Sequence, residues 1–197
     1  MKFVLASNNP GKLKEMREIL SEIGIEVISQ KEAGICVEPE EDGVTFQENS
    51  IIKARASCEA SGLPAIADDS GLVVEALGGQ PGVYSARYGG EGLSDAERYT
   101  LLLKNMEGKT DRRAKFVSCI SCVFPNGDII TAEGECHGEI LYAPAGDGGF
   151  GYDPVFFVKG LEKSMGEMTH VEKNSISHRG NAIRAFYPKL RDYLKKQ

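Results

Sequence analysis

The chain lacks any apolar run long enough to cross a bilayer. After Met1-Lys2 only Phe3-Val4-Leu5-Ala6 precede the polar Ser7-Asn8-Asn9, too short a stretch for the apolar region of a signal peptide. The expectation is a soluble cytoplasmic protein with no membrane partner. There is also no surplus of positive charge, since 23 Lys and Arg stand against 29 Asp and Glu for a net charge of −6. A duplex nucleic acid would need many phosphates neutralised, so the balance argues against that partner. An anionic small ligand stays compatible if a metal ion and local lysines offset the field. No disulfide framework is legible. The five cysteines, Cys36, Cys58, Cys119, Cys122 and Cys136, are odd in number and sit in apolar or strand-like contexts, which fits a reducing compartment. No second Cys-x-x-Cys accompanies Cys119-x-x-Cys122. On a strand those two thiols face opposite sides, so the zinc-like spacing with Cys136-His137 reads as structural. What is present, 197 residues at 41% hydrophobic, is enough for one ordinary core, a single domain over residues 1–197 with room for two lobes.

The most informative stretch is Pro64-Ala65-Ile66-Ala67-Asp68-Asp69-Ser70-Gly71-Leu72-Val73-Val74. Ala65-Ile66-Ala67 reads as a buried strand, Ser70-Gly71 as a turn, and Leu72-Val73-Val74 as the apolar run resuming. Successive strand residues point to opposite faces, so Asp68 and Asp69 are expected to do different work. A metal ligand or a base that activates water is one reading, and an Asx turn at a strand end is the other.

Around this stretch the chain alternates strands and helices. Lys2 to Ala6 reads as a strand, followed by Ser7-Asn8-Asn9-Pro10-Gly11-Lys12 and a helix with apolar Leu13, Met16, Leu20 and Ile23. Asn9 is placed to cap it and Pro10 to open it, so the N–H groups of Gly11 and Lys12 with the Lys12 ammonium would make an anion site. The loop lacks Walker A spacing, and a plain helix start gives the same order of residues. Glu38-Pro39-Glu40-Glu41-Asp42-Gly43 is an acidic loop that would suit a hard cation or simply be solvated. Thr45 with Glu48 forms a capping box opening a helix to about Ser61, on which Asn49 and Lys53 share a face. Residues 77–90 form a glycine-rich loop containing Arg87, and Ser94 with Glu97 is a second capping box. Ala114 to Phe124 and Ile129 to Gly138 read as a hairpin turning at Pro125-Asn126-Gly127-Asp128. A second glycine-rich loop, residues 144–154, carries Phe150 and Tyr152, either of which could cover a planar base or plug the core. Lys173, His178 and Arg179 gather in a polar segment before a closing helix with apolar Ile183, Phe186, Leu190 and Leu194.

Taken together, Ser7-Asn8-Asn9-Pro10-Gly11-Lys12, Ala67-Asp68-Asp69-Ser70-Gly71, Phe150-Gly151-Tyr152-Asp153-Pro154 and Ser177-His178-Arg179-Gly180 resemble the signature segments of the Ham1/RdgB family of inosine triphosphate pyrophosphatases. The resemblance covers essentially the whole chain. It departs at Asn9-Pro10, where relatives often carry other residues. It implies an α/β fold with a long twisted mixed sheet and flanking helices, two lobes around an active-site cleft, and a homodimer. It also implies Mg²⁺-dependent hydrolysis of XTP, ITP and dITP to the monophosphate and pyrophosphate. By the same resemblance Ser7, Asn8, Asn9, Pro10, Gly11 and Lys12 would cradle the triphosphate, Glu40 and Asp69 would hold Mg²⁺ with Glu41 able to share it, and Asp69 would accept the proton of the attacking water. Ser70, Phe150, Gly151, Tyr152, Asp153, Lys173, His178 and Arg179 match substrate-binding positions, and Lys53 and Asp68 are supporting candidates by location. Two alternatives stay open: a Maf-like pyrophosphatase of different base specificity, or a nucleotide-binding regulator without turnover.

Overall fold

Four residues of strand β1 (Lys2–Leu5) lie between two parallel neighbours, β2 (Glu26–Ser29) and β3 (Ala65–Val74). This computed structural model describes residues 1–7 and 10–196, so Asn8, Asn9 and Gln197 lie outside the described residues, as do the side chains of Pro10 and Glu15. The helix α1 (Pro10–Ser21) connects β1 to β2, and α2 (Phe46–Ser61) connects β2 to β3. A right-handed crossover from β1 out to β2, and another back across β1 to β3, must place the two helices on opposite faces. The packing agrees. Met16 and Leu20 of α1 share a core with Phe3, Leu5 and Ile66, whereas Ala54 and Cys58 of α2 share another with Val4, Ala65 and Ala67.

The remaining strands are β4 (Arg113–Val123), β5 (Ile129–Ile140), β6 (Phe156–Val158) and β7 (Lys163–Ser164), and the sheet runs β2-β1-β3-β4-β5-β6-β7. The hairpin expected at Pro125 to Asp128 joins β4 to β5, with the Phe124 amide donating to Asp128 at 3.0 Å. Antiparallel pairing of β5 with β6 and of β6 with β7, beside the parallel β2-β1-β3 set, makes the sheet mixed. The helices α3 (Asp95–Asn105), α4 (His170–Ile176) and α5 (His178–Leu194) complete the α/β fold.

Contacts divide the chain into two compact units, cut within β3, β4 and β5. The first comprises Met1–Asp69, Cys119–Glu133 and the last helix from Ala182 onward; its α1-side core also takes in Ile120, Phe124, Ile183, Phe186 and Leu190. The second comprises Ser70–Ser118 and Gly134–Asn181, with a core of Leu72, Leu102, Phe116, Ile140, Val155, Phe156 and Met165.

Three local expectations are revised. Ser70-Gly71 is not a turn: β3 runs unbroken through ten residues, with Gly71 buried inside it, because sheet pairing overrides local turn preference. Thr45 does cap α2, accepting from the Glu48 amide at 3.1 Å, but Glu48 reaches back to the Val44 amide at 2.7 Å rather than closing the box on Thr45. The polar segment before the closing helix is itself helical, since Thr169 and Glu172 form a full capping box that starts α4. The Ser94–Glu97 box at α3 is complete, as expected.

Candidate active site

In a parallel sheet, neighbouring strands whose exits lead to opposite faces leave a crevice at their carboxyl ends. β1 exits to α1 on one face and β2 exits toward α2 on the other. A cavity of 360 Å³ opens there in the first unit, lined by Ser7 beyond β1, by Val37, Glu38 and Glu41 beyond β2, and by Lys12, Lys53 and Asp68. The alternation along β3 decides what the two aspartates do. Ile66 belongs to the α1 side and Ala65 and Ala67 to the α2 side, so Asp68 faces α1 and Asp69 faces α2.

On the α1 side, the Lys12 ammonium reaches both oxygens of Asp68, at 2.8 and 2.7 Å. The Asp68 side chain is 3% exposed, so this ion pair fixes the lysine at the rim of the cavity. On the α2 side, Lys53 donates to Asp69 Oδ1 at 2.9 Å and to Glu41 Oε2 at 3.1 Å, tying the acidic loop to the middle of β3. Asn49, 1% exposed and one turn before Lys53, steadies that loop by accepting from the Gly43 amide at 2.9 Å. The approach is so close that a Cβ on Gly43 would fall 2.6 Å from the Asn49 oxygen.

Burial pushes the Asp69 carboxyl above its ordinary range, and the Glu41 charge adds to this, while Lys53 and Asn49 pull it down. For Lys53 burial works toward a lower value, yet the Asp69, Glu41 and Asp68 charges raise it above normal, so it stays an ammonium. A carboxylate raised in this way is a better proton acceptor than a solvated one.

Asp69 Oδ2 is buried and has no hydrogen-bond partner among the described residues. That oxygen, with Glu41 joined to the same lysine, fits a hard divalent cation. Mg²⁺ takes one or two carboxylates and leaves its other positions to water and substrate phosphates. Among the described residues no group of three or more His, Cys, Asp or Glu side chains converges, so the fit is to a cation of that kind and not to an all-protein cage. Glu40 is exposed on the same loop, while Glu41 is the residue that Lys53 joins to Asp69.

The second unit holds the other expected residues. Phe150 is 59% exposed, with the Lys173 ammonium 4.3 Å from its ring centre. Asp153, 2% exposed, accepts from the Phe150 amide at 2.8 Å and takes the Lys173 ammonium on the same oxygen. Its carboxylate is therefore committed to holding the loop. Tyr152 is 4% exposed and donates to the Ser85 carbonyl at 2.8 Å, so of the two aromatics only Phe150 offers an exposed face. His178 is buried and stacked on Phe116, ring centres 4.9 Å apart, and Arg179 follows it in the first turn of α5. Ser70 is partly buried on β3, directly after Asp69.

The model of the Ham1 family matches residues 3–189. The chain belongs to the Ham1 family. A dITP/XTP pyrophosphatase of Deinococcus radiodurans is 50% identical over 182 residues, covering 92% of this chain and 89% of that protein. A protein of the same name from Mannheimia succiniciproducens is 50% identical over 197 residues, covering 96% and 98% of the two chains. The structure of a HAM1 protein from Coxiella burnetii superposes with a TM-score of 0.92 at 42% identity, covering both chains completely. Several residues of this Ham1 chain escaped the sequence reading. Glu41 was a secondary candidate there, and the Ser85, Asp95, Arg98 and Phe116 partners of the second unit were not singled out at all. They act through tertiary contacts that no local motif announces, although Asp95 follows a legible N-cap.

Proposed function

We propose that this protein hydrolyses non-canonical purine nucleoside triphosphates, XTP, ITP and dITP, to the monophosphate and pyrophosphate. The observation that carries the reading is the partly buried Asp69 carboxylate in the middle of β3, held by Lys53 beside Glu41 in a Ham1 chain. Asp69 accepts a proton from water attacking the α-phosphorus. Lys53 keeps Asp69 and Glu41 from repelling one another and holds the acidic loop in place. Lys12, held at the cavity rim by Asp68, meets the negative phosphates, with the N-terminal end of α1 as a second source of positive potential. Mg²⁺, held by Asp69 with Glu41 or Glu40, would draw negative charge off the phosphate oxygens as pyrophosphate leaves. This also accounts for a chain of net charge −6 taking a polyanion, since its carboxylates recruit the cation.

The second unit supplies the groups suited to a purine: the exposed face of Phe150, the Lys173 ammonium fixed by Asp153, and His178 and Arg179 at the start of α5. No helix among the described residues is long and apolar enough to cross a membrane. A homodimer in the cytoplasm, acting on free nucleotides and not on nucleic acid, completes the reading. Steady-state kinetics on XTP, ITP, dITP, ATP and GTP test it. The expected kcat/KM for the first three exceeds that for ATP and GTP by at least about 10²-fold, well inside the roughly 10⁴-fold that hydrogen-bonded recognition can reach. Equal turnover of all five would refute non-canonical selectivity, and no turnover of any would favour a binding protein without catalysis.

A further inference from the structure

The loop Gly148-Gly149-Phe150-Gly151-Tyr152 is rich in residues that give the backbone freedom, yet its tip is tightly held. Gly149 and Gly151 both have left-handed backbones, φ +76° and +61°. A Cβ on Gly149 would fall 2.1 Å from Asp153 Oδ2, so the loop is pressed against that carboxylate. Asp153 holds the Phe150 amide from inside the loop, and Tyr152 anchors the loop's end through Ser85. The amide of Gly151 is held from outside, donating to Asp95 Oδ2 at 2.7 Å.

Asp95 is itself fixed. It is the first residue of α3, after the Ser94 cap, where a carboxylate is favoured by the helix dipole. Its other oxygen lies 3.5 Å from Nη1 of Arg98, one turn along, a guanidinium that is 9% exposed and whose buried Nε has no partner among the described residues. Arg98 is also near enough to Tyr152 for its charge to act on that phenol. The α3 start and the loop tip are thus joined through the Asp95 carboxylate, which holds the Gly151 amide on one oxygen and faces Arg98 with the other.

We propose that Asp95 is a positioning residue for substrate recognition: by holding the Gly151 amide it fixes the Phe150 ring and the Lys173 ammonium above it in a conformation ready for the base. This rests on the assignment of Phe150 and Lys173 to substrate binding. An unheld glycine loop would have to be ordered at the moment of binding, and that cost would appear as weaker affinity with little change in the chemical step.

The test uses Asp95→Ala and Asp95→Asn, since the amide oxygen of Asn can still accept from Gly151. Hydrogen exchange at the Gly151 amide, measured without nucleotide, should be at least about tenfold faster in Asp95→Ala, and most of the protection should return in Asp95→Asn. KM for ITP should rise about tenfold in Asp95→Ala, equivalent to about 1.4 kcal/mol, with kcat within about twofold, and Asn should restore it. Unchanged Gly151 exchange in Asp95→Ala overturns the proposal, and so does faster exchange with an unchanged KM. A loss confined to kcat, or one that Asn does not rescue, also overturns it. Wild-type protein inactive on ITP would instead overturn the functional assignment, while the exchange measurement would still decide whether Asp95 holds the loop.

Discussion

Replacing Asp69 by Asn should lower kcat at least about 10³-fold while leaving the fold intact. The amide keeps the shape of the carboxylate and an oxygen that can accept from Lys53, now 2.9 Å from Asp69 Oδ1, so packing in the middle of β3 survives. It loses the basic lone pair and the charge, and a positioned general base alone contributes about 10²–10⁴. The buried oxygen Oδ2 also becomes a weaker ligand for a hard cation. Asp68→Asn should cost less, because in the proposed mechanism Asp68 holds Lys12 and does not take the proton from water. Chelation with EDTA should abolish wild-type turnover, restored by excess Mg²⁺. An Asp69→Asn enzyme at the wild-type rate in saturating Mg²⁺, or full activity in EDTA, would remove Asp69 and the metal from the mechanism; circular dichroism and thermal melting of the variant establish that it is folded.

Arg179→Ala should cost ITP and XTP about 10²–10³-fold in kcat/KM while costing ATP far less, so that selectivity narrows. Hypoxanthine and xanthine carry the acceptor O6 where adenine carries an amine donor, and a donor aimed at O6 would face another donor if adenine entered. Guanine shares O6 and must be rejected at position 2. Sites built on hydrogen bonds discriminate by 10⁴ or more because mismatched groups stay buried and unpaired, whereas stacking accepts any base. Phe150, 59% exposed with Lys173 over its ring, is the proposed stacking element, so Phe150→Ala should weaken ITP, XTP, ATP and GTP more evenly. An Arg179→Ala enzyme with an unchanged ITP-to-ATP ratio would leave Arg179 only a phosphate or structural role.

Local chemistry was legible in the sequence and tertiary chemistry was not. The capping box at Ser94 and the hairpin at Pro125 to Asp128 depend on residues within a few positions of one another, and both form. The opposite faces of Asp68 and Asp69 follow from the two-residue period of a strand and are fulfilled by Lys12 and Lys53 approaching from the two helices. The same local reasoning failed at Ser70-Gly71, where β3 continues because its neighbours in the sheet outweigh turn composition. It also passed over Thr169 and Glu172, a capping pattern visible in the sequence that starts α4 and puts Lys173 on a helix rather than in a loop. Which acidic residue shares Lys53 with Asp69 could not be read from Glu38, Glu40, Glu41 and Asp42, since they are alike in chemistry; it is Glu41. Phe150 and Tyr152 were equivalent as aromatics between glycines, and the hydrogen bond from Tyr152 to Ser85 assigns one to the core and leaves the other exposed.

Phosphorus NMR of the complete reaction, with ITP and Mg²⁺ as the only additions, tests the central assignment most directly. Attack at the α-phosphorus beside Asp69 should yield inosine monophosphate and inorganic pyrophosphate in equal amounts, with no diphosphate at any time. In ¹⁸O-water the label should enter the monophosphate. Inosine diphosphate with orthophosphate, or label found in pyrophosphate, would contradict cleavage at that position.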